Sequence, residues 1–280
     1  MVPFMPLPIV TGASQAPKIK KLVAVAAGKG GVGKSTVCAG LARAAAVRGL
    51  KVGVLDADVY GPSVPILFPA DVPLKVEQGK ISPALSAGIK VLSVTHFGFA
   101  ETATAFRAPV VNMFLQQCIH QVDWGELDVL FVDFPPGVGD VHLCLLQEWA
   151  FSGVVLVTLP NRISLSDVEK ACLSFLEMGV PVSCVLENMA FTSQEGEGSA
   201  PLFGSVAIKD LLELSKAPLN KKLPFDPKFT ALIDQGDNPY MQSRLTPMAA
   251  HLQTVEKELF DLLDAAPVPD VYPMLLEWKL

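Results

Sequence analysis

The chain has 280 residues, half of them apolar, and a formal net charge of −6 at pH 7. That length and apolar content suit one well-packed α/β domain. The acidic balance argues against sequence-independent nucleic-acid binding as a main activity, because that requires a basic surface. No apolar run reaches the ~18 residues of a membrane span. The five cysteines form no Cys-x-x-Cys pair, and the four histidines are too dispersed for a metal cluster. The chain therefore reads as a cytoplasmic enzyme with reduced thiols.

Residues 1–20 carry Pro3, Pro6 and Pro8 and no cation before Lys18, so they read as a flexible lead-in without the features of a secretory signal. Leu22 to Ala27 is a short apolar run of the kind a buried parallel strand shows, and Thr36 to Arg48 carries Ala, Leu and Val at helical spacing. Further strands are expected at Lys51 to Leu55, Ile89 to Val94, Leu127 to Val132, Gly153 to Thr158 and Val182 to Glu187. Helices are expected around Pro109 to Gln121, Val141 to Phe151, Ser164 to Met178, Ser205 to Leu214 and Met248 to Leu263. This alternation predicts a mostly parallel β-sheet with helices on both faces. It forms a single α/β domain over 21–264, followed by a C-terminal tail, 265–280.

Between the first strand and helix lies Gly28-Lys29-Gly30-Gly31-Val32-Gly33-Lys34-Ser35-Thr36. From Gly28 to Ser35 it fits G-x-x-x-x-G-K-[ST], in the strand–loop–helix setting that a P-loop NTPase requires. The glycines let backbone N–H groups approach phosphate oxygens with no Cβ in the way. Lys34 is expected on the outer phosphates and Ser35 on Mg2+. In open α/β sheets ligands bind beyond the C-terminal ends of the strands, which directs attention to the carboxylates there. Asp133 ends an apolar strand, as the Mg2+-shell aspartate of a P-loop protein does, and Phe134 to Asp140 holds prolines and glycines fit for a γ-phosphate hinge. Asp56 and Asp58 end the second strand two residues apart, which places both on one face. Either can turn toward the metal or the attacking water; for Asp56 a cap or turn role is an equal alternative.

The second lysine, Lys29, makes the loop resemble the deviant Walker A of one P-loop group. That group includes the MinD and ParA positioning ATPases, nitrogenase iron protein and the Mrp/ApbC (Nbp35-like) iron–sulfur carrier ATPases. The segments Val54 to Pro65, Val122 to Asp128, Asp133 to Asp140, Val185 to Met189 and Leu223 to Pro227 resemble the Mrp branch, so the likeness runs from about Lys21 to about Leu263. It implies a nucleotide-sandwich homodimer using ATP and Mg2+, with Lys34 serving its own nucleotide and Lys29 reaching the partner's. Asp58 would orient the attacking water, Ser35, Asp58 and Asp133 would attend to Mg2+, and Asn188 with Pro224 and Asp226 would frame the adenine.

The resemblance also implies work on a 4Fe–4S cluster for iron–sulfur client or scaffold proteins. Members of the branch usually hold the cluster through a Cys-x-x-Cys shortly after the segment matching Glu187-Asn188-Met189. Here residues 189–204 contain no cysteine, which leaves the cluster without its usual ligands. Val138 and Ala108 also depart from the branch, which commonly has Thr and Gly at these places. The alternative expectation is a MinD/ParA-like positioning or regulatory ATPase, whose mark would be a basic amphipathic C-terminal helix. The tail 270–280 instead has Pro273 and two acids against one lysine, which suits docking on protein better than membrane.

Overall fold

A computed structural model describes residues 18–77, 80–97, 115, 118, 121–192, 201–203, 208–241 and 245–266. The strands are β1 (Lys18–Ile19), β2 (Leu22–Ala26), β3 (Val52–Asp56), β4 (Lys75–Glu77), β5 (Lys80–Ser82), β6 (Ala84–Ser86), β7 (Ile89–Leu92), β8 (Glu126–Leu127), β9 (Val129–Asp133), β10 (Gly153–Thr158), β11 (Val182–Thr192) and β12 (Leu219–Phe225). The helices are α1 (Lys34–Val47), α2 (Val64–Leu67), α3 (Asp140–Glu148), α4 (Arg162–Glu177), α5 (Lys209–Ser215), α6 (Pro227–Asp234) and α7 (Pro247–Ala265), with a 3-10 turn at Val94–Phe97.

Eight strands form the central sheet in the order β12-β11-β10-β2-β9-β3-β7-β6. Its pairs are parallel except for the antiparallel edge pair β6–β7. Period-2 alternation along β2 sorts its side chains to two cores. Val23 and Val25 join α1, α6 and α7 on one face, and Leu22, Ala24 and Ala26 join α3, α4 and α5 on the other. Burial on both faces explains why the central strands read as continuous apolar runs. Because β9 lies between β2 and β3, the turn from β2 into α1 opens at the middle of the sheet, beside the ends of β3 and β9.

Several boundaries differ from the expected ones for identifiable reasons. The Leu127 to Val132 run divides at Asp128, whose carboxylate accepts from Lys51 N and Lys20 Nζ, each at 2.8 Å; β8 then pairs with β1 while β9 enters the main sheet. β11 continues past Glu187 to Thr192 because Phe191 and Thr192 regain pairing with Pro224 and Phe225 after a break in register. β12 was not anticipated, since Asn220, Lys221 and Lys222 interrupt its apolar character; it is an edge strand and needs only partial burial. The expected helix at Pro109 to Gln121 falls largely outside the described residues, although Leu115 and Cys118 are helical and buried. The described part of the expected Ser205 to Leu214 helix begins at Lys209. The expected lead-in lies outside the described residues except for Lys18 to Lys20, as does the tail beyond Ala266. Among the described residues no helix is long and apolar enough to cross a membrane.

Candidate nucleotide-binding site

Between β2 and α1 the chain turns so tightly that two of its glycines have no substitute. A Cβ on Gly28 would stand 2.1 Å from the backbone carbon of Asp167, in α4. Gly33 has φ +85, a left-handed conformation that disfavours other residues, and a Cβ there would stand 2.4 Å from Asn188 Nδ2. Gly33 also occupies the N-cap position of α1, where no side-chain cap is present. The first-turn N–H groups, those of Lys34, Ser35 and Thr36 among them, therefore meet an anion without competition from a capping oxygen. Gly30 and Gly31 are exposed at the loop tip, whereas Val32 turns inward and is buried.

Behind the loop, β9 places Asp133 beside Val25 of β2. Lys34 Nζ donates to Asp133 Oδ1 at 2.6 Å and to Ser35 Oγ at 3.4 Å. Both members of the ion pair are buried, Lys34 at 7% exposure and Asp133 at 0%. Burial opposes the Lys34 charge, but the adjacent Asp133 carboxylate outweighs it and holds the lysine pKa above its ordinary value. Burial raises the Asp133 pKa, with Lys34 pulling the other way. Asp133 Oδ2 is buried without a hydrogen-bond partner. An orphaned carboxylate oxygen near a serine hydroxyl is a hard-oxygen donor set that fits Mg2+, which typically takes one or two carboxylates and fills its shell with water and phosphate. In keeping with that partial set, no group of three or more His, Cys, Asp or Glu side chains among the described residues is arranged to hold a metal ion.

The hinge segment is tied directly to the loop's approach: Phe134 N donates to Val25 O and Gly137 N to Ala27 O, each at 3.0 Å. At the end of β3 the two aspartates part company. Asp56 is buried and accepts from Asp58 N (3.1 Å), Val64 N (3.2 Å) and Ser93 Oγ (3.1 Å). Burial and the neighbouring Asp133 carboxylate push its pKa up to about 8, against the pull of Lys34. Asp58 is half-buried and accepts from Gly61 N. It lines a cavity of about 220 Å³ with Tyr60, Pro135, Pro136 and Asp140. Asp58 N folds back onto the Asp56 carboxyl, which gives Asp56 an anchoring role, while the Asp58 side chain lines the cavity.

The remaining expected residues are placed as follows. Lys29 is partly exposed and makes no hydrogen bond or ion pair among the described residues. Asn188 is buried against the loop, where its Nδ2 donates to Val32 O at 2.8 Å. It reaches this position through the irregularity between Glu187 and Phe191, where Met189 adopts φ 52, a conformation uncommon outside glycine. Pro224 lies one strand further out, opposite Phe191. Asp226 caps α6 by accepting from Lys228 N and Phe229 N, and its second oxygen accepts from Met248 N at the start of α7. Both oxygens of Asp226 are thus committed to helix starts. Sequence reasoning missed the Asp167 backbone behind Gly28 and the hydroxyl of Ser93; the latter's signal is a polar residue directly after the apolar pair Val91-Leu92.

The thiols lie elsewhere. Cys38, Cys118, Cys172 and Cys184 are buried and Cys144 is half-buried. Burial raises every one of their pKa values, to about 11 for Cys172. These groups remain protonated thiols at neutral pH.

The ParA family described as NUBPL iron-transfer P-loop NTPase matches residues 18–260. The iron-sulfur cluster carrier protein of Aquifex aeolicus (strain VF5) is 36% identical over 256 residues, covering 89% of this chain and 70% of that protein. The protein of the same name from Rickettsia typhi (strain ATCC VR-144 / Wilmington) is 34% identical over 217 residues, covering 78% of this chain and 65% of that one; the chain thus spans about two thirds of the length of these relatives. Among solved structures, the nucleotide-binding protein of Archaeoglobus fulgidus in complex with ADP superimposes with a TM-score of 0.67 at 32% identity, covering 88% of this chain and 93% of that one. With the match running from β1 into α7 and enclosing the whole glycine loop, the chain belongs to the NUBPL iron-transfer P-loop NTPase family.

Proposed function

We propose that the chain is a homodimeric Mg-ATP hydrolase serving iron–sulfur cluster assembly as a carrier or scaffold. The observation that carries this reading is the contrast between the loop's lysines: Lys34 is held against Asp133 at 2.6 Å, while Lys29 has no partner among the described residues. The ADP complex of the Archaeoglobus fulgidus relative adds support for a nucleotide ligand.

Phosphates enter at the N-terminus of α1, where the loop's N–H groups receive them. Lys34 moves from Asp133 to the outer phosphates, freeing a carboxylate whose other oxygen is already unpartnered. Asp133 and Ser35 would hold Mg2+, which would offset phosphate charge. Asp58, at the mouth of the cavity, orients the attacking water. A loose phosphoryl-transfer transition state is served mainly by positioning and by positive charge, and Lys29 supplies the missing charge to the nucleotide of a second copy. Tyr60, Val138 and Ile163 stand exposed on segments that follow strand ends around the loop; such apolar side chains suit burial against that copy.

The cluster is cargo in this scheme, and the chain's own thiols are unsuited to ligate it. The ATP cycle therefore acts on a cluster whose thiolates come from the partner protein. The test of the ATPase reading is Lys29→Ala, assayed by phosphate release and by sedimentation with and without Mg-ATP. Hydrolysis is expected to fall about 10²-fold or more, together with loss of ATP-dependent dimerisation. Turnover and dimerisation both at the wild-type level would overturn the role in trans.

A further inference from the structure

β3 and β7 are paired neighbours, with Leu55 opposite Leu92. The residues that follow, Asp56 and Ser93, therefore meet at the C-terminal end of the sheet, and the Ser93 hydroxyl reaches Asp56 Oδ2 at 3.1 Å. Both are removed from water, Asp56 at 1% exposure and Ser93 at 0%. Ser93 is itself held from the 3-10 turn that it opens. Thr95 Oγ1 donates to Ser93 Oγ at 3.3 Å, and Ser93 N donates to His96 Nδ1 at 3.2 Å. With Thr95 supplying a proton to the serine oxygen, the serine's own proton is directed to Asp56.

Asp56 in turn grips both ends of the next loop. Its Oδ1 accepts from Asp58 N and its Oδ2 from Val64 N, the first residue of α2. One carboxyl thus closes a loop of which Asp58 is part. Its third donor, Ser93, is the one that comes from outside this loop, from the residue after β7. Without it Oδ2 keeps Val64 N alone, and the carboxyl is held only by the two amides of the loop it closes, free to tilt with them.

We infer that Ser93 is a positioning residue for ATP hydrolysis: through Asp56 it fixes the loop 57–63 and so places Asp58 for the attacking water. Ser93 touches neither nucleotide nor water; it governs turnover and leaves nucleotide affinity alone. The catalytic part of this inference rests on the ATPase reading above. The structural part does not.

The experiment pairs two readouts in the full chain. Hydrogen exchange of peptides spanning 57–64 reports on the amides of Asp58 and Val64 without any need for turnover. Steady-state phosphate release separates kcat from KM. In Ser93→Ala, exchange in this loop is expected to be about tenfold faster, with kcat about tenfold lower and KM for ATP within about twofold. Thr95→Val, which removes the hydroxyl donor behind Ser93 and leaves the longer contact from the residue-95 amide, gives a smaller change in the same direction and serves as the deciding variant should Ser93→Ala fail to fold. Wild-type exchange in the loop, or a KM that rises as much as kcat falls, overturns the inference. A wild-type protein that hydrolyses no ATP while Ser93→Ala loosens the loop would sink the ATPase reading and keep the link from Ser93 to the loop.

Discussion

The C-terminal ends of β2, β3 and β9 and the cysteine positions receive opposite treatment from one fold. At the strand ends, polar and ionisable side chains are brought out of water in a partnered state: Lys34 on Asp133, and Asp56 on three donors. The groups left available there, Lys29, Asp58 and the second oxygen of Asp133, are the ones phosphoryl transfer needs. At the cysteine positions no such arrangement exists. Cys38 lies in α1, Cys172 in α4 and Cys184 in β11, buried within the two apolar cores with their protons held on. The difference teaches that the candidate nucleotide site and the thiols are physically separate in this chain. One region gathers ionisable groups beside the glycine loop, while the thiols serve as small apolar side chains.

The sharpest way to break this comparison is at its buried ion pair. Lys34→Ala removes the cation expected on the phosphates and strands Asp133, which is 0% exposed, without its ion-pair partner. Hydrolysis should fall by at least about 10²-fold. Stability should fall by about 3 kcal/mol, because an unpaired buried charge is left behind. Adding Asp133→Asn separates the two effects: the double variant should recover much of the melting temperature and none of the activity. If Lys34→Ala hydrolyses ATP at the wild-type rate, the strand-end region is not a nucleotide site and the comparison loses its first half.

Legibility in the sequence follows the range of the forces involved. The strand–loop–helix setting of the glycine loop and Lys34 was readable because local spacing fixes it, and the buried parallel strands were readable because two-sided burial leaves continuous apolar runs; that Asp133 meets Lys34 rests on the pairing of β9 with β2. The separate duties of Asp56 and Asp58 were not, since they depend on which donors the buried Asp56 carboxyl meets, Val64 N and the Ser93 hydroxyl among them. Asn188 reaches the loop through an irregularity at Met189 that no periodicity announces. Asp226, expected only beside the adenine, is a helix cap in the structure, and its third donor, Met248 N, comes from 22 residues away. Ser93 depends wholly on which strand lies next to β3, a long-range fact.

A second test concerns the only described histidine with both ring nitrogens buried and unpartnered. His142, in α3, has its ring centroid 5.1 Å from that of Phe134 and 4.7 Å from that of Phe175. Burial lowers its pKa from 6.5 to about 4. Between these values the unfolded chain binds a proton that the native state refuses, so stability from this group is full at neutral pH and is lost as pH falls below about 6.5. Asp56 works in the opposite sense: its raised pKa means that the native state keeps a proton the unfolded chain has released, so stability declines as pH rises toward 8. Comparing wild type with His142→Leu cancels the Asp56 contribution. Urea midpoints at pH 7 and pH 5 should show the wild type losing about 2 kcal/mol more than the variant on acidification. Equal losses would mean that His142 finds a partner in solution, and that the region behind the hinge is less dry than the thiols' protonation requires.

The smallest expected effect is the most telling for the second half of the comparison. Cys144, in α3, is the one thiol that is not fully buried, and burial together with Glu148 still raises its pKa. A cluster ligand must be a thiolate, so Cys144 is the chain's best candidate and a poor one. After anaerobic incubation with iron and sulfide and then desalting, wild type and Cys144→Ser should retain the same small amount of iron, with no sulfur-to-iron charge-transfer absorption in either. Mixing the wild-type protein with a cluster-bearing, thiolate-rich partner and Mg-ATP should leave the cluster's iron and absorption with the partner's thiolates. A stoichiometric cluster on the isolated wild type that disappears in Cys144→Ser would show that the half-buried helix opens to expose a thiolate, and would join the two regions that the described structure holds apart.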